Sequence, residues 1–268
     1  MSKTRALVIG GTGFIGAQVT LQLLSAGIDV TVFSRGKHGK PPADVHWIEA
    51  PDTDQVISFE GLDSSHFDVA VHMMAMGEDE GRIFAEELGD SVGRLILVSS
   101  EDVYLAYGRF VGLEPGPPEP VPIAEEGALR TRFYPYRHKA HSPADVAWRY
   151  EKILAEQPIL DRANGAVARL PKVYGPGSNE QLETVYGFAN HPLWRWTHGH
   201  VEDVAAAIVL MALATDLKQP VYNLGEERTP TVAERLQNIP TRNDIALING
   251  NFDFQQSLVF DTEPSDET

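Results

Sequence analysis

Short apolar runs alternate with longer stretches of helical periodicity along the first hundred residues. The runs are apolar on both faces, as strands buried in a parallel sheet are, and they span 6–10, 29–33, 45–50, 67–75 and 94–100. Residues 14–27 place Val19, Leu23 and Leu24 at helical spacing, and a second helix is predicted around 81–89. The alternation predicts an α/β fold, with a parallel sheet flanked by helices.

The regular pattern breaks after residue 110. Residues 111–122 contain five prolines, which fit neither a helix interior nor a central strand, so we interpret the stretch as an ordered surface insertion. The pattern then predicts three more elements: a helix near 144–157, a strand over 165–170 and a helix over 201–217. We divide the chain into a core, residues 1–165, that carries the insertion, and a mixed segment, residues 166–268.

Composition narrows the class of protein. The chain has 22 Lys and Arg against 38 Asp and Glu, a net charge of −16, which repels phosphate backbones and anionic membranes. We therefore expect a small-molecule substrate, with no nucleic acid or membrane partner. The absence of cysteine excludes disulfides and thiolate chemistry. The longest apolar run, 205–214, has about half the length of a membrane span, and no signal-peptide layout opens the chain, so a cytoplasmic protein is expected.

A glycine-rich turn follows the first predicted strand. Its sequence is GGTGFIG, with a predicted strand before it and a predicted helix after it. Glycines at such a turn allow close backbone approach and present N–H groups of the helix terminus to a pyrophosphate. A tight turn without a ligand is the alternative, but the context favours a dinucleotide site. Its predicted cofactor-binding residues are Gly10, Gly11, Thr12, Gly13, Phe14, Ile15 and Gly16.

The end of the second strand selects between the two nicotinamide dinucleotides. A carboxylate there binds the ribose 2′-hydroxyl of NAD, whereas a cation suits the 2′-phosphate of NADP. This chain has Ser34, Arg35 and Lys37 there, and no Asp or Glu lies between Val30 and Lys40. Solvated surface cations are the alternative interpretation. We predict NADP as the cofactor and leave NAD open.

The ordered motifs resemble the extended, or atypical, short-chain dehydrogenases/reductases of the NAD(P)-dependent epimerase/dehydratase type. The motifs are GGTGFIG, FDVAVHMMA, LVSSEDVY, KILAEQ, ARLPKVYGPG, HVEDVAAAI and VYNLGEE, over roughly residues 4–235. The resemblance implies a doubly wound Rossmann core over 1–165 and a small, shortened substrate lobe within 166–268. It also implies cofactor contacts from Met74, Ala75, Pro171 and Val173, and substrate contacts from Tyr174, Arg195 and His198.

Catalysis in that family requires a Ser or Thr that polarises the substrate, a Tyr that moves a proton, and a Lys that holds the ribose and lowers the pKa of the Tyr. Ser100 and Lys152 match the first and last. An exposed Lys152 paired with Glu156 one helical turn away is the alternative interpretation.

The tyrosine is where the chain departs from the family. Four residues before Lys152 stands Trp148, whose indole cannot exchange a proton at neutral pH. Tyr150 is two residues from Lys152, on the opposite face of a regular helix, and Tyr136 lies in the preceding loop. We predict Tyr136 or Tyr150 as the acid/base, with Tyr136 as the leading candidate because its loop can place the ring freely, while a structural role for each remains the alternative.

Three further inferences complete the sequence-based view. His198, His200 and Asp203 resemble a metal cluster only superficially, so no metal site is predicted. The expected function is an NADP-dependent oxidoreductase or epimerase acting on a hydroxyl or ketone carbon, a sugar derivative being one option. An NADP-binding protein without turnover, a sensor or scaffold, is the alternative. Relatives commonly pair through two helices per subunit, which suggests a homodimer, but the sequence leaves the oligomeric state open.

Overall fold

Nine strands run through the computed structural model, which describes residues 3–51, 58–59, 62–63, 67–180, 182–242 and 244–262. The strands are β1 (Arg5–Ile9), β2 (Asp29–Ser34), β3 (His46–Glu49), β4 (Val69–His72), β5 (Arg94–Ser100), β6 (Gly165–Leu170), β7 (Lys172–Tyr174), β8 (His198–His200) and β9 (Val221–Asn223). Seven of them form one sheet in the order β3-β2-β1-β4-β5-β6-β9. The pairings from β3 to β5 are parallel. This order confirms the predicted doubly wound Rossmann sheet.

Eight helices accompany the strands in the described residues. They are α1 (Phe14–Ser25), α2 (Glu78–Leu88), α3 (Leu105–Phe110), α4 (Val146–Arg149), α5 (Lys152–Leu160), α6 (Glu183–Gly187), α7 (Val201–Leu213) and α8 (Val232–Asn238). Helices α1 and α7 pack against each other, and so do α2 and α5. The core under α2 and α5 includes Leu7, Ile9, Phe84 and Ile159. Val8, which points to the other face of β1, packs near the turn into α1.

The predicted helix over 144–157 is wrong in one respect, because the chain forms two helices there. Tyr150 and Glu151 have extended backbone between α4 and α5. The Asp145 carboxylate caps α4 by accepting the Ala147 N–H at 2.9 Å, and the Glu151 carboxylate accepts the Ile153 N–H at 3.2 Å. Each helix thus has its own N-terminal cap, and Lys152 is the first residue of α5.

The chain divides into two compact units. The first comprises Met1–Ser100, Tyr134–Arg169 and Val201–Tyr222, and it contains the glycine turn and α1, α2, α4, α5 and α7.

The second unit comprises Glu101–Phe133, Leu170–His200 and Asn223–Thr268. Its interior is aromatic: the Phe110 ring stacks on Trp194 and Phe252 with centroids 4.7 and 4.9 Å away. Residues 111–122 lie in this unit and contain no helix or strand. Strands β7 and β8 pair in parallel. No described helix in either unit is long and apolar enough to cross a bilayer.

Candidate functional site

The glycine turn joins β1 to α1 with no space between the backbone segments. Gly10 has a positive φ of 82°, a conformation that a side chain disfavours. A Cβ on Gly16 would lie 2.3 Å from the Gly10 carbonyl oxygen, and a Cβ on Gly11 would lie 2.8 Å from Thr20 Oγ1. These glycines let the helix pack closely on the strand, so their absence of a side chain is a requirement of the fold.

Gly13 is different, because its side-chain position is open. A Cβ there would meet only the Gly10 carbonyl oxygen, at 3.4 Å, an ordinary contact. Gly13 is the N-cap of α1, and no side chain caps the helix. The N–H groups of the first turn therefore face a space that a ligand can enter.

A cavity of about 490 Å³ opens at this turn, within the usual size range of ligand pockets. Eight of the predicted cofactor-binding residues line it: Gly10, Thr12, Gly13, Phe14, Ser34, Arg35, Lys37 and Met74. Gly11, Ile15, Gly16 and Ala75 do not line it. Residues predicted from the glycine turn and residues predicted from the end of β2 thus line the same cavity.

The end of β2 forms a basic wall of the cavity. Ser34 is buried, and its hydroxyl and carbonyl oxygens both accept from the Trp47 indole N–H at 3.2 Å. Arg35 is half-buried and Lys37 is exposed, and both line the cavity together with His38. Glu80 is the one acidic side chain among the cavity-lining residues of the described chain. This wall can hold an anionic group.

His72 lines the same cavity and was missed by sequence reasoning. Its ring lies edge-on to Phe59 and Phe84, with centroids 5.8 and 5.0 Å away. Burial, helped by the charge of Lys152, lowers the pKa of His72 to about 3, so the ring is neutral at pH 7. Nδ1 accepts the Met74 N–H at 3.2 Å, which leaves the proton on Nε2. The residue's place at the end of β4 was the available signal.

Lys152 is buried, with 5% of its surface exposed. Its ammonium donates to the carbonyl oxygens of Ala75, at 2.6 Å, and Val98, at 3.1 Å. The alternative interpretation, in which Lys152 is exposed on the helix surface, is therefore wrong. Instead Lys152 links the segment after β4 to β5, at the carboxyl edge of the sheet where a ligand binds in this fold.

One candidate tyrosine, Tyr150, lies near this lysine, and the other, Tyr136, contacts Tyr150. The Lys152 ammonium is 5.8 Å from the centre of the Tyr150 ring, and the Tyr150 and Tyr136 rings meet edge to face with centroids 5.0 Å apart. Trp148 is 41% exposed on α4. The break between α4 and α5 removes the regular helix on which the argument against Tyr150 depended. Sequence spacing therefore did not exclude Tyr150.

Ser100 is the last residue of β5, two residues beyond the carbonyl that Lys152 contacts. Its neighbour Ser99 is buried and donates its hydroxyl proton to the Glu156 carboxylate. Arg169 donates to both oxygens of that carboxylate, Nε at 3.1 Å and Nη2 at 2.7 Å. This buried ion pair holds α5 against the sheet. It therefore also fixes the position of Lys152, the first residue of α5.

The remaining predicted site residues belong to the second unit. Pro171, Val173, Tyr174 and Arg195 are all half-buried, and the Tyr174 ring centre lies 6.3 Å from that of His198. His198 is buried, and its Nδ1 lies 2.7 Å from the Trp196 carbonyl oxygen. Burial first, then the charge of Arg235, lowers the pKa of His198 to about 3.

Several buried polar atoms of the second unit make no hydrogen bond in the described part of the chain. Both carboxyl oxygens of Glu101 and Nε2 of His198 make no hydrogen bond within the described chain. Burial, reinforced by the negative charge of Glu226, raises the pKa of Glu101 well above its usual value. No group of three or more described His, Asp or Glu side chains could hold a metal ion.

The chain resembles known proteins at two levels. Residues 6–87 match the model of the NAD dependent epimerase/dehydratase family. This matches the resemblance drawn from the motifs. The matched region spans the glycine turn, the basic wall and α2 up to its penultimate residue. The sequence matches none of the curated proteins compared with it.

Solved structures extend the likeness to nearly the whole chain. The NAD dependent NDP-hexosamine 5,6-dehydratase TunA, involved in tunicamycin biosynthesis, superposes with a TM-score of 0.66 at 18% identity, over 98% of this chain and 89% of that one. WbmG of Bordetella bronchiseptica, solved with NAD, has a TM-score of 0.64 at 19% identity, over 97% and 86%. A UDP-glucose 4-epimerase of Thermotoga maritima, solved with UDP-glucose, has a TM-score of 0.62 at 19% identity, over 97% and 90%. At these identities the likeness establishes the fold.

Proposed function

We propose that this protein is an NADP-dependent oxidoreductase or epimerase that acts on a hydroxyl or ketone carbon of a sugar nucleotide. The observation that carries the proposal is the cavity at the glycine turn, which combines the open side-chain position of Gly13 with the cations Arg35 and Lys37. The match of residues 6–87 to the epimerase/dehydratase family supports it. The substrate class follows from structural relatives such as the UDP-glucose 4-epimerase.

The residues fit a dinucleotide on the grounds of space and charge. The first turn of α1 would hold the pyrophosphate, because its N–H groups face the open position beside Gly13. Arg35 and Lys37 would hold a 2′-phosphate, because both line the cavity and the β2 end carries cations where a carboxylate would select NAD. When bound, the nicotinamide supplies hydride exchange with the substrate carbon.

Proton movement falls to the side chains around Lys152. A buried ammonium stabilises a nearby phenolate and so lowers the pKa at which a tyrosine exchanges its proton. The Tyr150 ring centre lies 5.8 Å from the Lys152 ammonium, and the Tyr136 ring packs on Tyr150. Ser100, at the end of β5, would donate a hydrogen bond to the substrate oxygen. Tyr174, Arg195 and His198 are the proposed substrate contacts.

The cofactor assignment is tested by calorimetric titration of NADP and NAD. NADP should bind more tightly, and Arg35→Asp should narrow or reverse the preference, because loss of a charged phosphate contact costs about 1.5–3 kcal/mol. Lys3→Asp, which makes the same charge change at an exposed position outside the cavity, is the control. Equal affinities of the unmodified protein for the two cofactors would contradict the assignment.

The reaction is tested by following NADPH absorbance with ketones and nucleotide sugars, with tritium exchange to detect redox-neutral epimerisation. Tyr136→Phe and Tyr150→Phe each remove one oxygen and should preserve packing. The variant that removes the acid/base should react about 10²- to 10⁴-fold more slowly. Tyr107→Phe in the second unit is the control and should keep its activity. Full activity in both Tyr136→Phe and Tyr150→Phe would refute the tyrosine mechanism.

One observation favours a second candidate function, an NADP-binding sensor or scaffold without turnover. The Lys152 ammonium contacts two backbone carbonyls, a structural role that does not need a substrate. NADP binding without turnover of any substrate in the panel would support this candidate. A cytoplasmic location and a homodimeric state stay predictions from the sequence.

A further inference from the structure

A third cation lines the dinucleotide cavity, and it comes from α4 instead of the end of β2. Arg149, the last residue of α4, lies on the cavity surface together with Ala144 and Val146. Its side chain is 32% exposed, and its guanidinium forms an ion pair with Glu80 of α2. Neither the family motifs nor the glycine pattern pointed to these two residues.

The local fold holds Arg149 in this place. The Asp145 cap starts α4 and the chain turns out of it at Tyr150, so the short helix ends beside the loop after β4. The Glu151 N–H donates to the Met76 carbonyl oxygen at 2.9 Å. Gly77 allows the approach, because a Cβ there would lie 2.5 Å from the Arg149 carbonyl oxygen.

The ion pair uses only part of the guanidinium. Arginine has five N–H donors in a planar fork, and the described contact to Glu80 comes from Nη1 alone. Glu80 is 8% exposed, and its charge is balanced by Arg149 when no ligand is bound. The remaining donors suit two oxygens of one phosphate group.

We propose that Arg149 is a further cofactor-binding residue, which binds the pyrophosphate of the dinucleotide together with the α1 N-terminus while Glu80 positions its guanidinium. This inference rests on the proposed function, because it assigns a residue to the same dinucleotide site. Three cationic side chains would then share the phosphates: Arg35 and Lys37 the 2′-phosphate, and Arg149 the pyrophosphate. Glu80 would be a positioning residue, since it acts through Arg149.

The test separates the phosphates by means of three probes. NADP and 2′-phospho-ADP-ribose both carry the pyrophosphate, whereas adenosine 2′-monophosphate carries only the 2′-phosphate. Arg149→Met should weaken the first two by about 10- to 100-fold, as expected for loss of a hydrogen bond between charged groups, and leave the third unchanged. Arg35→Met should weaken all three.

Controls keep the result interpretable. Arg82→Met removes an Arg from the exposed face of α2, where it pairs with Asp79 and Glu86 outside the cavity, and should change no affinity. Arg149→Lys keeps a positive charge and should retain part of the affinity for the pyrophosphate probes. Glu80→Gln should alter the affinity for those probes and not for adenosine 2′-monophosphate. Thermal unfolding shows whether each variant is folded.

Three outcomes would overturn the inference. Unchanged affinity of a folded Arg149→Met for NADP and 2′-phospho-ADP-ribose would refute it and leave the proposed function intact. Equal weakening of all three probes would also refute it, because it would show a general effect on the cavity. If the unmodified protein bound none of the probes, the proposed function would fail, and this inference with it.

Discussion

Substitution of two glycines of the same turn, Gly13 and Gly16, should have different effects, one on ligand binding and the other on stability. Gly13→Val should abolish dinucleotide binding in a folded protein, whereas Gly16→Ala should destabilise the fold. The difference comes from the positions of the two Cβ atoms. At Gly13 the nearest atom is the Gly10 carbonyl oxygen at 3.4 Å, and at Gly16 the same oxygen is 2.3 Å away.

The magnitudes follow from these distances. At Gly16 the Cβ would also lie 3.0 Å from the Gly10 carbonyl carbon, so strand and helix must separate, at a cost of about 1–3 kcal/mol or more. At Gly13 the backbone is extended, with φ −74°, so a side chain is not strained. The gain of about 0.4–1 kcal/mol from a less flexible unfolded chain is offset by the poor N-cap preference of Val, and net stability should change little.

The binding loss at Gly13 should be large. A side chain there occupies the space through which the N–H groups of α1 would reach a pyrophosphate, and each charged contact is worth about 1.5–3 kcal/mol. NADP affinity should fall by about 100-fold or more. Calorimetry measures the affinity, and thermal unfolding measures the stability of both variants. A folded Gly13→Val that binds NADP as tightly as the unmodified protein would refute the assignment of the turn to a dinucleotide.

Two predictions concern stability. Arg169→Met should lower the free energy of unfolding by about 3–5 kcal/mol, because it leaves the Glu156 carboxylate buried without its partner; urea denaturation would measure this, and a loss below 1 kcal/mol would contradict it. The pKa of about 3 for His72 and His198 lies below the ordinary 6.5, so their stabilising effect is complete above pH 6.5 and is lost as pH falls toward 3. At pH 5 each histidine should lower the free energy of unfolding by about 2 kcal/mol relative to pH 7. A His198→Gln variant whose free energy of unfolding depends on pH as that of the unmodified protein does would contradict this.

The sheet could be predicted from the sequence because its central strands, such as β1, β4 and β5, are apolar on both faces. The predicted run 94–100 coincides with β5, and 165–170 with β6. The run 67–75 extends past β4, which ends at His72. The residues after His72 are apolar but leave the sheet, and Met74 and Met76 line the cavity instead. An apolar run is expected both for a strand inside the sheet and for the wall of a cavity, so the pattern alone cannot distinguish between the two.

The cavity was only half predictable, for a related reason. The turn and the basic wall carry local patterns, glycine spacing and a charge cluster, that can be recognised in a few consecutive residues. His72, Glu80 and Arg149 come from three separate elements, and their meeting depends on how α4 and the loop after β4 pack. An ion pair between residues 69 positions apart leaves no periodic signal in a single sequence.

The missing tyrosine shows how a spacing rule depends on the element that carries it. Two residues on a continuous helix point to nearly opposite faces, and that argument alone counted against Tyr150. Tyr150 is outside α5, because Glu151 has extended backbone and caps the helix, while its other carboxylate oxygen accepts the Tyr134 N–H at 2.6 Å. The Glu151 carboxylate thus joins the loop of Tyr134–Tyr136 to the start of α5, and the Tyr150 ring contacts the Tyr136 ring and lies 5.8 Å from the Lys152 ammonium. A chain with Trp at the usual position can therefore still bring a phenol to the lysine, from the break between two helices.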